Sequence, residues 1–166
     1  MQRANIILLI ALVPIVAFVV WFLRGESFLP YAPANEASRT IRIGNVPIHI
    51  EVADTKEARA QGLSGREQLP ANNGLLFVFD ELGTHGIWMK NMRFGIDILW
   101  IAPFNTTSSS GGREAYRIVD IKENARPESF PETFYSQAPA LYVLEVNAGF
   151  TDLYNISVGD TVQFSR

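Results

Sequence analysis

Leu75-Leu76-Phe77-Val78-Phe79 is apolar at every position. A strand with one wet face alternates polar and apolar side chains. Five apolar residues in a row therefore predict a central strand covered on both faces. Pro70-Ala71-Asn72-Asn73-Gly74 leads into it as a turn, and residues 80–83 are expected to turn the chain again.

On the N-terminal side, Thr40-Ile41-Arg42-Ile43 and Val46-Pro47-Ile48-His49-Ile50-Glu51-Val52 both alternate. Gly44-Asn45 between them suits a two-residue II′ hairpin, which needs glycine first. His49 falls on the Pro47/Glu51 face, which is the solvent side. Asp54 is expected to cap a short helix, with Glu57 three residues on completing a capping box and Gly62 ending it. Leu63-Ser64-Gly65-Arg66 follows as a tight segment.

On the C-terminal side comes Gly86-Ile87-Trp88-Met89-Lys90-Asn91-Met92. As a strand it would put Trp88 and Lys90 on one face, Met89 and Asn91 on the other. In Ile96-Asp97-Ile98-Leu99-Trp100-Ile101, Asp97 shares its face with Leu99 and Ile101. An acid on an apolar strand face needs a partner, because an unpaired buried carboxylate is very costly. Residues 103–113, with three Ser, two Thr and two Gly, read as a loop, and 116–123 as a strand. Residues 127–139 carry three prolines and read as irregular. Leu141-Tyr142-Val143-Leu144-Glu145-Val146-Asn147 is a further strand, with the Glu145 carboxyl on the face of Leu141 and Val143. A short helix at 148–154, a turn at Val158-Gly159-Asp160 and a last strand at 161–164 complete the chain. Seven or eight short strands with few helical residues predict a mainly β domain, a small sandwich or barrel with one or two short helices.

The chain has 166 residues, of which 48% are hydrophobic, enough for one closed core. It has no cysteine, which excludes disulfides, thiolate nucleophiles and cysteine-based metal sites. Arg3 and Arg24 are two of its 14 basic residues; the other 12 lie from Gly25 onward with all 17 acidic ones, a net charge of −5. No basic run interrupts this, so nucleic acid is not an expected partner.

Residues 4–23 hold no charge, and Asn5 is their only strongly polar side chain. That length matches the roughly 20 residues of a membrane-spanning helix, where Pro14 is tolerated and Trp21 sits as an interfacial anchor. The run is too long for a signal peptide and ends in Trp21-Phe22-Leu23-Arg24, a poor cleavage site. The expected organisation is an uncleaved anchor at 1–24, a tether at 25–38 and a β domain at 39–166. Arg3 plus the terminal amine outweighs Arg24 paired with Glu26, which favours a single pass with the C-terminal domain outside the membrane.

Gln61-Gly62-Leu63 with Arg66 and Leu69-Pro70, then Gly74-Leu75-Leu76-Phe77-Val78-Phe79, Trp88-Met89-Lys90-Asn91, Asp97-Ile98, Tyr142-Val143-Leu144-Glu145-Val146-Asn147-Ala148-Gly149 and Val158-Gly159-Asp160 stand in a specific order. The set resembles the domain-of-unknown-function 192 family over residues 41–164. The resemblance implies a compact, mainly β domain, often secreted or membrane-tethered in bacteria and archaea, with no established reaction. Ile87 and Phe94-Gly95-Ile96 depart from the family pattern, in which an aromatic precedes the Trp and a proline precedes Leu-Asp. The loop at 103–113 is longer than usual, and Ala125-Arg126-Pro127 lacks a cysteine that some members carry.

The candidate ligand-binding residues are Arg66, Trp88, Lys90, Asn91, Asp97 and Glu145. On adjacent strands Lys90 and Asp97 would meet, either as an ion pair fixing register or, with Arg66, as the polar wall of a cleft. Arg66 has nearby carbonyls or Glu145 as partners, and Asn91 suits a turn. Trp88 and Trp100 suit a core, and one at a rim would stack on a sugar ring. His85, Asp97, Glu123 and Glu145 offer nitrogen and oxygen ligands but not at a recognised metal spacing, so neither metal nor cofactor is expected. Ser64 is not in a nucleophile elbow. Three functions remain open. The favoured one is a non-enzymatic, envelope-associated module binding a small polar or carbohydrate ligand. The others are a hydrolase or lyase acting on cell-envelope carbohydrate or peptide material, using Asp97 or Glu145 as acid/base and Lys90 or Arg66 to stabilise negative charge, and a protein-interaction module.

Overall fold

The computed structural model describes residues 39–104 and 115–165. The expected span at 4–23, the tether and most of the loop at 103–113 lie outside the described residues. Among the described residues no helix is long and apolar enough to cross a membrane.

The elements are β1 (Arg39–Ile43), β2 (Val46–Ala53), α1 (Lys56–Gln61), β3 (Asn73–Gly83), β4 (Ile87–Trp88), β5 (Ile96–Phe104), β6 (Ala115–Ala125), β7 (Thr133–Phe134), β8 (Ala140–Asn147), α2 (Phe150–Tyr154) and β9 (Thr161–Phe164), with a 3-10 turn at Pro127–Ser129. Seven strands close a barrel in the order β1-β2-β3-β8-β5-β6-β9, and β4 pairs with β7 in a separate ribbon. Between sandwich and barrel, the fold is a barrel. β9 pairs with both β1 and β6, which seals it.

The β1–β2 hairpin forms where expected, with Ile43 opposite Val46 and Gly44 at φ +56°, the positive value a II′ turn requires at that position. β2 and β3 run parallel, so the chain between them must cross over, and α1 makes that crossing. Thr55, not Asp54, caps α1: its side chain accepts the Ala58 N–H at 3.1 Å. Thr55 is the residue with extended backbone (φ −98°, ψ 159°), which is the geometry an N-cap needs. Gly62 ends the helix as expected, its N–H bonding to the Ala58 carbonyl. Residues 80–83 continue β3 rather than turning, because a register shift after Val78 carries the strand on until Gly83 faces Ala140.

Leu75 to Phe77 are apolar throughout because the domain has two cores. One fills the barrel and takes side chains from all seven strands, among them Ile41, Ile48, Leu76, Leu99, Ile118, Leu144 and Val162, with Phe150 of α2 packed on it. The other lies outside the wall formed by β3, β8 and β5: Leu75, Phe77, Ile98, Trp100 and Val143 are covered there by Leu63, Leu69, Ile87 and Met89. Each fully buried side chain of this kind contributes about 1.5–3 kcal/mol, so both layers weigh heavily in stability. The second layer holds the site.

Candidate functional site

The outer layer is held to the wall by two turns that grip each other. After Gly62, Ser64 N–H bonds to the Gln61 carbonyl and Arg66 N–H to the Leu63 carbonyl. Asn91 takes φ +57°, a left-handed conformation that asparagine tolerates, and so ends the extended run three residues after β4. The turns are then joined directly: Ser64 Oγ donates to the Lys90 carbonyl at 2.8 Å, and Gly65 N–H to the Asn91 carbonyl at 2.8 Å. β4 is pinned on its other edge by β7, with Trp88 opposite Thr133. A Cβ on Gly86 would lie 2.6 Å from the Tyr135 ring and 2.7 Å from Thr133 Cγ2, so any larger residue here would have to displace both.

Between α1 with its following turn and β4, the layer leaves a half-open cavity of about 200 Å³. Leu63, Phe77, Phe79, Ile87, Trp88 and Met92 make its apolar walls, Gln61 and Ser64 lie at its edge, and Glu145 of β8 is in its lining. Arg59 is fixed beside Phe79, its guanidinium 5.1 Å from the ring centroid and its Nη1 donating to the Asp54 and Val78 carbonyls at 2.7 Å. The His85 ring stacks on Phe79 at 3.5 Å, and the His85 carbonyl accepts Trp100 Nε1–H at 2.9 Å.

Glu145 stands opposite Leu75 on β3 and Ile98 on β5. It is buried, and no donor among the described residues reaches its Oε2. Burial pushes its carboxyl up to about 8, although the Arg66 charge pulls the other way. It is therefore a neutral acid at pH 7, able both to donate and to accept a hydrogen bond. Arg66 does not pair with it. Both Arg66 amino groups bind the Glu51 carboxylate at 2.6 Å, and this bidentate bond holds Glu51 below its ordinary value and raises Arg66.

The other expected residues are placed differently. Asp97 faces into the barrel and is fully buried. Its Oδ1 accepts the N–H groups of Asn124 (2.8 Å) and Gly149 (3.2 Å); its Oδ2 accepts Thr151 N–H (3.0 Å) and Thr151 Oγ1–H (2.8 Å). The Lys90–Asp97 pair does not form: Lys90 is exposed on the turn, and four donors from β6 and the start of α2 take the carboxylate instead. Asn91 is exposed in that same turn. Trp88 is 47% exposed at the cavity rim, whereas Trp100 is core. His85, in the loop between β3 and β4, is half-buried in its stack on Phe79, and among the described residues no three His, Asp or Glu side chains gather as a metal site. Of the expected set, the cavity thus brings together Glu145 and Trp88, with Arg66 close enough for its charge to act on Glu145. Phe77, Phe79 and Arg59 were not anticipated as lining. The helix end at Gly62, where an added Cβ would lie 3.5 Å from the Phe77 ring, is the one sequence signal that could have located them.

Comparison with known proteins matches the same span. Residues 39–164 fit the model of the DUF192 family, described as Uncharacterized ACR. Among solved structures, a candidate transcription regulator from Sinorhizobium meliloti 1021 is similar, with 33% identity and a TM-score of 0.64, covering 76% of this chain and 92% of that one. A protein of unknown function from Novosphingobium aromaticivorans DSM 12444 is similar at 25% identity and TM-score 0.63, covering 75% and 83%. No match was found among curated proteins. The chain belongs to the DUF192 family.

Proposed function

We propose that the domain is a binding module for a small polar ligand, which it holds in the cavity lined by Glu145. The observation that carries this is the Glu145 Oε2, enclosed without a partner among the described residues at a half-open cavity. Leaving a buried polar atom unpaired costs about 1–3 kcal/mol, and a scaffold has no use for that cost. A ligand that supplies the missing hydrogen bond recovers it. Strongly shifted groups beside clefts mark functional sites for the same reason. Half-exposed Trp88 at the rim adds a flat face on which a sugar ring stacks. The uncharged run at 4–23 supports display of this module outside the membrane on an N-terminal anchor.

An enzymatic reading has one observation in its favour, since a carboxyl shifted to about 8 is a competent general acid near neutral pH. It lacks a partner for that acid: Asp97 faces the barrel interior and Glu51 is occupied by Arg66. The regulator description of the Sinorhizobium protein gains no support from this acidic chain, net −3 and without a basic run.

The full chain in detergent micelles, unfolded thermally against a panel of sugars, short peptides and small metabolites, tests the proposal. A true ligand at a hundred times its Kd stabilises by about 2.7 kcal/mol. Glu145→Leu should remove the response while the protein still unfolds cooperatively. If no compound shifts the wild-type midpoint, the binding role is wrong, and if a bound compound is consumed the domain is an enzyme.

A further inference from the structure

We propose that the cavity is a slot for an extended peptide segment, which adds a strand to the open edge of β4. The inference rests on the binding role given above and names its ligand class. β4 belongs to a two-stranded ribbon, so only one of its edges is taken by β7. Its other edge borders the cavity, which Gly86, Ile87 and Trp88 line. Apart from the β4–β7 ladder, no hydrogen bond among the described residues reaches the backbone N–H and C=O groups of these three. Further along, the same run of chain is already engaged, since Ser64 and Gly65 bind the carbonyls of Lys90 and Asn91. The open length is therefore the part that the cavity faces.

The chemistry of that edge selects a peptide. An open strand edge presents the N–H and C=O of one residue to the same side, and repeats them at every second residue. An extended peptide carries the matching set at the same spacing, roughly 6.8 Å, and strand addition is a general mode of peptide capture. A sugar offers hydroxyls with no such repeat. A strand laid beside β4 sends alternate side chains down to the floor, as Ile87 does, and up to solvent, as Trp88 does. On the floor lie Phe77 and Phe79, with the Glu145 Oε2 that has no partner among the described residues. An uncharged polar side chain such as threonine satisfies that oxygen. Valine would leave it unpaired, and aspartate or lysine would carry a charge into a buried, mainly apolar site. Because the cavity is half-open, the rest of the peptide can run on outside it.

The test is NMR titration of the full chain in detergent with four acetylated and amidated pentapeptides. They share glycine ends and valine at the second and fourth positions, and carry threonine, valine, aspartate or lysine at the centre. The threonine peptide should bind roughly tenfold or more tighter than the other three. When it saturates the protein, the β4 amide that points away from β7 should exchange its hydrogen about tenfold or more slowly than before. Replacing successive amides of that peptide by esters should weaken binding several-fold at every second position and little between. Losses without this alternation, or a β4 amide whose exchange does not slow, overturn strand addition while leaving the cavity a binding site. Equal binding of all four peptides overturns the contact with Glu145 and leaves strand addition standing. If no peptide binds but a sugar or metabolite of the wider panel does so in a Glu145-dependent way, this inference falls and the binding role stands. If nothing binds, both fall.

Discussion

Asp97 and Glu145 are both buried carboxyls on neighbouring strands, one rung apart: Asp97 faces Val146 across the β5–β8 ladder, and Glu145 faces Ile98. They point to opposite sides of the wall. Asp97 enters the barrel and accepts four hydrogen bonds that tie the end of β6 and the start of α2 to β5. Glu145 enters the outer layer and keeps an oxygen with no partner among the described residues. Burial is the same in both, and what differs is the supply of donors. A fully satisfied acid is a structural joint, whereas an unsatisfied one beside a cavity has hydrogen-bonding capacity to spare.

The largest expected effect is at Asp97. Asp97→Ala orphans three backbone N–H groups and a hydroxyl, and should cost about 4 kcal/mol in urea unfolding. A loss below about 1 kcal/mol would remove the distinction between the two acids.

Glu145→Gln should act in the opposite direction, stabilising the protein by roughly 1–2 kcal/mol at pH 7. The unfolded chain releases the Glu145 proton near 4.5 and the folded one holds it to about 8. The destabilisation is therefore absent below pH 4.5, grows up to about pH 8 and is constant beyond. The advantage of the variant should vanish in acid; an advantage that ignores pH would mean Glu145 never carries the proton.

Glu51→Gln tests the pair lying between these extremes. Its carboxylate is more than a third exposed, so solvent screening leaves the bond worth roughly 0.5–1 kcal/mol. Because its value is held low, that contribution is present above its ordinary 4.5 and disappears as pH falls through the folded value, the reverse of Glu145. Releasing Arg66 should also lower the pH at which Glu145 ionises, readable by carboxyl NMR. The smallest effect belongs to Lys90→Ala, expected within about 0.5 kcal/mol of wild type. A drop of several kcal/mol would restore the ion pair with Asp97.

The strands were legible because their apolar runs are long and their turns carry Gly, Pro and Asn. Barrel closure was less so, since periodicity states which face is apolar and not which strand lies alongside. Residues 88–91 look extended by alternation, yet Asn91 turns the chain in the outer layer. At the site, residue type identified Asp97, Glu145 and Arg66 as needing partners, then matched them by charge. The true partners of Asp97 are mostly backbone N–H groups, which every sequence has and residue type therefore cannot reveal. Arg66 takes Glu51, fifteen residues earlier, because the α1 crossover folds the chain back past β2.

The place of β8 has a consequence in time. β1, β2 and β3 form one contiguous stretch of wall and β5 and β6 another; β9 joins them along the β1–β6 side, and on the other side β3 and β5 meet only through β8, which lies far along the chain. Until it inserts, each half presents a long apolar edge with open hydrogen-bonding groups, the kind of surface on which chains aggregate. Pairings of such sequence separation are slow to form. Folding should thus be a single late zippering event, limited by β8 and sensitive to protein concentration in stopped-flow refolding, with neither half acquiring protection from hydrogen exchange before the other.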